Sequence, residues 1–216
     1  ILDRLGIGLI EAPAAGCCGA MSHHFSATEE ARAMMRRNID AWWPHIDQGA
    51  EAILVTASGC GAFVKEYGRL LADDPAYRQR AARVSELARE PGEVLRDADL
   101  DRLGIVGGGQ RVAYHPPCTL QHAQQLPDLV EPMLAALGYR LTPVQDRHLC
   151  CGSAGTYSIT QPRLADQLKL NKLDALQAGR PELIATANVG CQLHLQTDSG
   201  LPVVHWLELL DPARTE

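Results

Sequence analysis

Apolar positions along this chain follow two patterns, one at helical spacing and one of short unbroken runs. In the second half, Arg111–His115 and Leu183–Ala187 read as short strands, and Tyr139–Pro143 and Val203–Leu207 as two more. Leu126, Leu129, Val130, Met133, Leu134 and Leu137 recur at i, i+3 and i+4, predicting a helix over 126–137 that Gly138 stops. Pro162 opens another through Leu176, apolar at Leu164, Leu168, Leu173 and Leu176. The first half keeps the same order, with a helix over 28–43, a strand over 52–56 and a helix over 62–71. Ile1, Leu2 and Leu5 against Asp3 and Arg4 predict an amphipathic helix at the start. Alternating strands and helices define an α/β fold, here two tandem, pseudo-symmetric α/β units. A charged stretch from Pro75 to Arg102 reads as a helical, surface-lying connector broken at Pro91-Gly92. It belongs to the first unit, 1–104, and the second runs over 105–216.

The halves repeat each other in chemistry as well as in pattern. Ala15-Gly16-Cys17-Cys18-Gly19-Ala20 matches Leu149-Cys150-Cys151-Gly152-Ser153-Ala154 around a Cys-Cys-Gly core. Ala52–Cys60 likewise resembles Leu183–Cys191. Cys17 and Cys150 lie 133 positions apart and Cys60 and Cys191 lie 131 apart, so the register holds to within two residues. Cys118, 32 positions before Cys150, would have its counterpart before residue 1. The first unit therefore reads as truncated at its N-terminus, and the chain, which does not begin with Met, as a piece of a longer protein.

Composition narrows the class. Hydrophobic residues make up 46% of 216, enough for a sizeable core and too many for a disordered chain. Twenty Lys and Arg against 26 Asp and Glu give a net charge of −6, and the basic residues are scattered. Without a basic face, nucleic acid is not expected as a partner. No apolar run approaches the roughly 18–20 residues of a membrane span, and no leader with an apolar core and cleavage site opens the chain. A cytoplasmic location is expected, with peripheral contact at the inner face of a bacterial membrane left open. Gly107-Gly108-Gly109 precedes a strand instead of following one, so it reads as a connector and not a dinucleotide loop.

Seven cysteines are an odd set for a disulfide framework, and a chain this size needs no such staples. Cys17-Cys18 and Cys150-Cys151 are adjacent pairs, which rarely bridge because the eight-membered ring strains the peptide between them. Reduced thiols that hold a metal fit better. The cysteines fall at strand ends and helix starts, where N–H groups and the helix dipole favour the thiolate. The second half gathers four soft donors, Cys118, Cys150, Cys151 and Cys191; the first gathers three, Cys17, Cys18 and Cys60. Four thiolates suit zinc or an iron–sulfur cluster. Whole α/β segments separate the donors, and neither the short C-x-x-C knuckle of zinc sites nor the common cubane run occurs. The spacing thus points first to an iron–sulfur cluster, with zinc and redox-active thiols still open. His115, His122 and His148 stand near these cysteines, each either a loop histidine satisfied by backbone or a donor to a cluster sulfur. No acid–base pair, oxyanion site or nucleotide loop suggests substrate chemistry on this chain.

A cysteine, a long spacer, Cys-Cys-Gly, a second long spacer and Gly-Cys together resemble the cysteine-rich CCG domain. That domain occurs twice in the B subunit of heterodisulfide reductase and in the iron–sulfur subunits of glycolate and lactate oxidases. The strings 115–122 (HPPCTLQH), 148–158 (HLCCGSAGTYS) and 187–192 (ANVGCQ) are similar to glycolate oxidase iron–sulfur subunits in particular. The resemblance covers essentially the whole chain. It implies a [4Fe-4S] cluster, non-cubane in the heterodisulfide reductase member, held by the cysteines named above. It implies an electron-transfer subunit of an oxidoreductase complex with no substrate-oxidising site of its own. A flavin-containing oxidase subunit, which carries the FAD, would oxidise glycolate to glyoxylate, and electrons would pass towards a quinone or membrane electron acceptor. Rival readings are a lactate-utilisation iron–sulfur subunit, a heterodisulfide-reductase-like thiol–disulfide protein and a zinc-stabilised interaction module. The chain departs from the fullest family pattern at the final C-x-x-C, where Phe63 and His194 replace the second cysteine. His194 is thereby the candidate extra ligand. The first half also lacks its upstream cysteine, so the resemblance implies a complete ligand set in the second half alone.

Overall fold

The computed structural model describes residues 1–215 and divides into two compact units, Gly8–Glu93 and a larger one formed by Ile1–Ile7 with the chain from Val94 onward. The repeat had suggested a boundary at 104/105.

In the smaller unit the chain forms α1 (Ala20–His24), α2 (Thr28–Asp47), β1 (Ile53–Leu54), α3 (Ser58–Lys65), α4 (Tyr67–Leu70), α5 (Arg78–Leu87) and β2 (Ala88–Arg89). α2 buries Ala31, Met35, Asn38 and Ile39, an i, i+4, i+7, i+8 stripe. It continues through Pro44, beyond the expected end at Trp43, with Ile46 still packed on the core. β1 and β2 pair in parallel, Ile53 with Ala88 and Leu54 with Arg89. β1 is shorter than the expected 52–56 because its partner offers only these two positions. β2 lies inside the stretch expected to be wholly helical and surface-lying: α5 buries Ala81, Val84 and Leu87, and Ala88 is buried with them. Pro91-Gly92, expected as a break, instead opens the short helix α6 (Pro91–Leu95), a place where proline's missing N–H costs nothing.

The larger unit carries a four-stranded, all-parallel sheet in the order β4-β3-β5-β6. Its strands are β3 (Arg111–His115), β4 (Arg140–Leu141), β5 (Leu183–Thr186) and β6 (Val203–His205), and its helices are α7 (Glu131–Ala136), α8 (Tyr157–Thr160), α9 (Pro162–Gln177) and α10 (Val189–Gln196). Successive strand residues face opposite sides, and two apolar cores follow. Val112, Tyr114, Leu183 and Ala185 face one with Leu134 and Trp206; Ala113 and Ile184 face the other with Leu173, Leu176, Leu195, Cys151 and Cys191. Burial on both sides is the usual condition of a parallel sheet.

Two helices expected here are shorter. The 126–137 helix reduces to Glu131–Ala136, since Pro127 and Pro132 remove backbone donors and restrict the residues before them. Leu126 and Leu129 still pack on the core from a non-helical segment. The expected opening helix is a single 3-10 turn, Asp3–Leu5, ended by Gly6 at φ 77°.

Candidate metal centre

β3, β4 and β5 are neighbours, and each delivers cysteine from the loop after its carboxyl end. Cys118 follows β3 by way of Pro116-Pro117, Cys150-Cys151 lie in the loop after β4, and Cys191 sits in the first turn of α10 after β5. The chain runs from β3 to β4 on one side and then to β5 on the other, so β3 marks where the strand order reverses. Crevices at such reversals are the usual ligand sites of open α/β sheets.

The four thiols form a continuous series: Cys118 is within hydrogen-bonding reach of Cys150, Cys150 of Cys151, and Cys151 of Cys191. Within it, donors and acceptors alternate. Donation to Cys150 pushes the Cys118 thiol up, and donation to Cys150 and Cys191 pushes Cys151 up, burial adding to both. Cys150 is held far below the ordinary thiol range by Cys118, then Cys151, and by the Gly152 N–H at 3.3 Å. Cys191 is held low first by Cys151 and further by His115 and by Asn188 Nδ2 at 3.5 Å. Two acceptor thiolates are thus already favoured, the form that binds metal.

His115, the last residue of β3, is fully buried, and its ring nitrogens make no well-formed hydrogen bond, Cys191 being the side chain the ring acts on. One of its nitrogens and the sulfurs of Cys151 and Cys191 all lie within 4.8 Å of one another. Leaving a buried polar atom unpaired costs about 1–3 kcal/mol. Four clustered thiols beside an orphaned imidazole are a donor set that fits a soft metal or an iron–sulfur cluster. His194 stands elsewhere: it lies near Asp198, whose carboxyl it helps to hold low, and it is outside the His115–Cys151–Cys191 group. His122 and His148 are exposed.

The surrounding groups fix the loops. Gln121 Nε2 donates to the carbonyls of Pro116 (2.8 Å) and Arg147 (3.3 Å), tying the Cys118 segment to the Cys150 loop. Lys172, fully buried on α9, donates from Nζ to the carbonyls of Asp146 and Arg147, both at 3.1 Å. Burial pulls its pKa down. Gly152 takes φ 91°, and a Cβ there would collide with the Ala165 carbonyl of α9. None of Gln121, Lys172 and Asn188 was singled out by the sequence; only the place of Lys172 on the apolar face of a predicted helix hinted at burial.

The smaller unit repeats this construction with other residues. Cys18 and Cys60 meet, and the Cys18 thiol is raised by its hydrogen bond to Cys60 while Cys60 is lowered to about 7. Cys17 has an exposed side chain. Gly19 takes φ 92° against the Ala31 carbonyl of α2, as Gly152 does against Ala165. Asn38 accepts from Gly16 N–H (2.8 Å) and donates to the Cys17 carbonyl (3.1 Å), and Tyr67 OH donates to the Cys18 carbonyl (2.6 Å). Asn38 and Lys172 are 134 positions apart, the same spacing as Ala31 and Ala165. A neutral amide in one unit and a cation in the other thus hold equivalent loops. Phe63, at the lost cysteine position, is buried against His23, His24 and Tyr67.

Fold and site together define an α/β protein with thiol centres at strand ends. The chain belongs to the cysteine-rich domain (CCG) family, whose profile matches residues 1–65 and 112–196. It is 55% identical to the glycolate oxidase iron-sulfur subunit of Escherichia coli K12 over 99% of its own length and 52% of that protein's. It is 29% identical to a probable glycolate oxidase iron-sulfur subunit of Bacillus subtilis 168, over 91% of this chain and 44% of that one. Lactate utilization protein A of Bacillus licheniformis is 24% identical over 98% of this chain and 89% of its own. The chain spans about half the length of the two glycolate oxidase relatives.

Proposed function

We propose that this chain is the cluster-bearing part of an iron–sulfur electron-transfer subunit in a glycolate oxidase complex. The carrying observation is the unbroken series Cys118–Cys150–Cys151–Cys191 at the carboxyl ends of three adjacent parallel strands. When bound, a [4Fe-4S] cluster, cubane or non-cubane, supplies one-electron uptake and release. The chain's own part is to present thiolates from Cys150 and Cys191, to steady the Cys118 and Cys150 loops through Gln121 and Lys172, and to bury Cys151 and Cys191 among Leu173, Leu176 and Leu195. Cys17, Cys18 and Cys60 are offered as a second, three-thiol set. No helix among the described residues is long and apolar enough to cross a membrane; the subunit works from the cytoplasmic side. Glycolate oxidation to glyoxylate falls to a flavin-containing partner with FAD, and a quinone or another membrane electron acceptor receives the electrons.

A lactate-utilisation role is the second reading, because those relatives match this chain over most of their length. Anaerobic reconstitution with ferrous iron and sulfide is expected to give a brown protein with iron and acid-labile sulfide in equal amounts. Zinc bound in place of iron under the same conditions would overturn the reading. With the partner flavoprotein present, glycolate and not lactate should bleach the absorption; the reverse preference would establish the lactate role.

A further inference from the structure

Strand alternation puts His115 on the same side of the larger sheet as Ala113 and Ile184, the side that carries Cys151 and Cys191. Its register partner across the ladder is Thr186, the last residue of β5 before the Cys191 helix. The ring therefore stands on that face of the two strands whose ends deliver Cys118 and Cys191. A buried structural histidine ordinarily donates and accepts; this ring's nitrogens make no well-formed hydrogen bond, and the side chain it acts on is Cys191. Donors on one tetrahedral ion, at zinc-like bond lengths, stand about 3.6–3.8 Å apart, and the nitrogen and two sulfurs lie within 4.8 Å of one another. An inward movement of at most about 1 Å brings the three to the spacing of shared coordination.

We propose that His115 is itself a metal ligand, one imidazole nitrogen joining Cys118, Cys150, Cys151 and Cys191 in a mixed thiolate–imidazole set. The inference rests on the iron–sulfur reading and adds a donor type that the cysteine pattern does not contain. The neutral ring gives its lone pair to iron, no proton leaves it, and the thiols release theirs to solvent as they bind. Position within the fold, and not spacing from a cysteine, selects it over His194, whose Nε2 is also buried without a partner but which lies outside the group formed with Cys151 and Cys191.

The test uses the full chain, reconstituted anaerobically with ferrous iron and sulfide and reduced with dithionite. It is prepared once with natural histidine and once with nitrogen-15 histidine, and pulsed electron paramagnetic resonance reads nitrogen coupled to the cluster. The label is expected to shift the nitrogen signal. That signal should survive in H194A, H122A and H148A and vanish in H115A, whose iron content should fall several-fold. H115C, which supplies another soft donor, should regain the iron without the nitrogen signal and keeps the test decisive where H115A does not fold. Cluster-loaded protein with no histidine nitrogen signal, a signal retained in H115C, or one lost in H194A would each overturn the assignment while leaving the iron–sulfur reading intact. Failure of the parent chain to take up iron and sulfide would overturn both.

Discussion

Gly152 and Gly19 occupy the same place in the two units, yet their surroundings differ enough to separate them by experiment. Both hold left-handed backbone, φ 91° and 92°, which costs an alanine roughly 1–2 kcal/mol. At Gly19 an added Cβ would stand 3.1 Å from the Ala31 carbonyl oxygen, a tight contact that a small shift relieves. At Gly152 it would run into the Ala165 carbonyl, so α9 or the Cys151 loop must move, at about 1–3 kcal/mol more. Gly152→Ala is therefore expected to lose the more stability in denaturant unfolding, and equal losses would show that the loop yields freely. The role of both glycines was legible in the sequence, because each follows a cysteine pair. His115 was named there only as one of several histidines near cysteine. Its place among the sulfurs depends on which face of β3 it takes and on the pairing of β3 with β5, and long-range register is not written in local residues.

At the scale of elements, α9 does two jobs from one helix, holding the Cys150 loop with Lys172 and the far end of the unit with Lys169. Lys169 Nζ meets Asp198 at 2.6 Å and Asp166 at 3.0 Å. The hydrogen bond from Lys169, then that from Thr197, lowers the Asp198 pKa, and the two carboxylates raise that of Lys169 despite its burial. A lowered carboxylate stabilises the fold above its ordinary pKa, and that share disappears as pH falls through the lowered folded value. The raised lysine contributes below its ordinary pKa and loses its share only as pH climbs through the raised one. Asp198→Asn should therefore lower the thermal midpoint by a few degrees or less between about pH 5 and 9, since a half-exposed pair is worth about 1 kcal/mol at most. The difference should close in the acid range below about pH 4; a gap that persists there would mean the loss is one of packing. The long, strongly periodic elements α2 and α9 and the apolar runs of β3 and β5 could be read before any coordinates. β2 could not, because two residues in a charged stretch carry no period, and the 126–137 stripe misled because its apolar residues are core residues while its prolines forbid a continuous helix.

The described residues form two compact units with unequal donor sets, four thiols with His115 in the larger and three thiols in the smaller. A ligand that binds only folded protein stabilises it by about 2.7 kcal/mol at a hundred times its dissociation constant. Hydrogen exchange after loading with ferrous iron and sulfide should therefore slow by about two orders of magnitude in β3 and β5 and stay nearly unchanged in α2. Equal slowing in both would show that Cys17, Cys18 and Cys60 hold metal as firmly. The all-parallel order of the larger sheet also says something about time. Cys118 leaves the ribosome 73 residues ahead of Cys191, and the two meet only once β5 has paired with β3. No nascent stretch carries all four thiols with His115, so on the proposed reading the complete donor set exists only after β5 has joined the sheet.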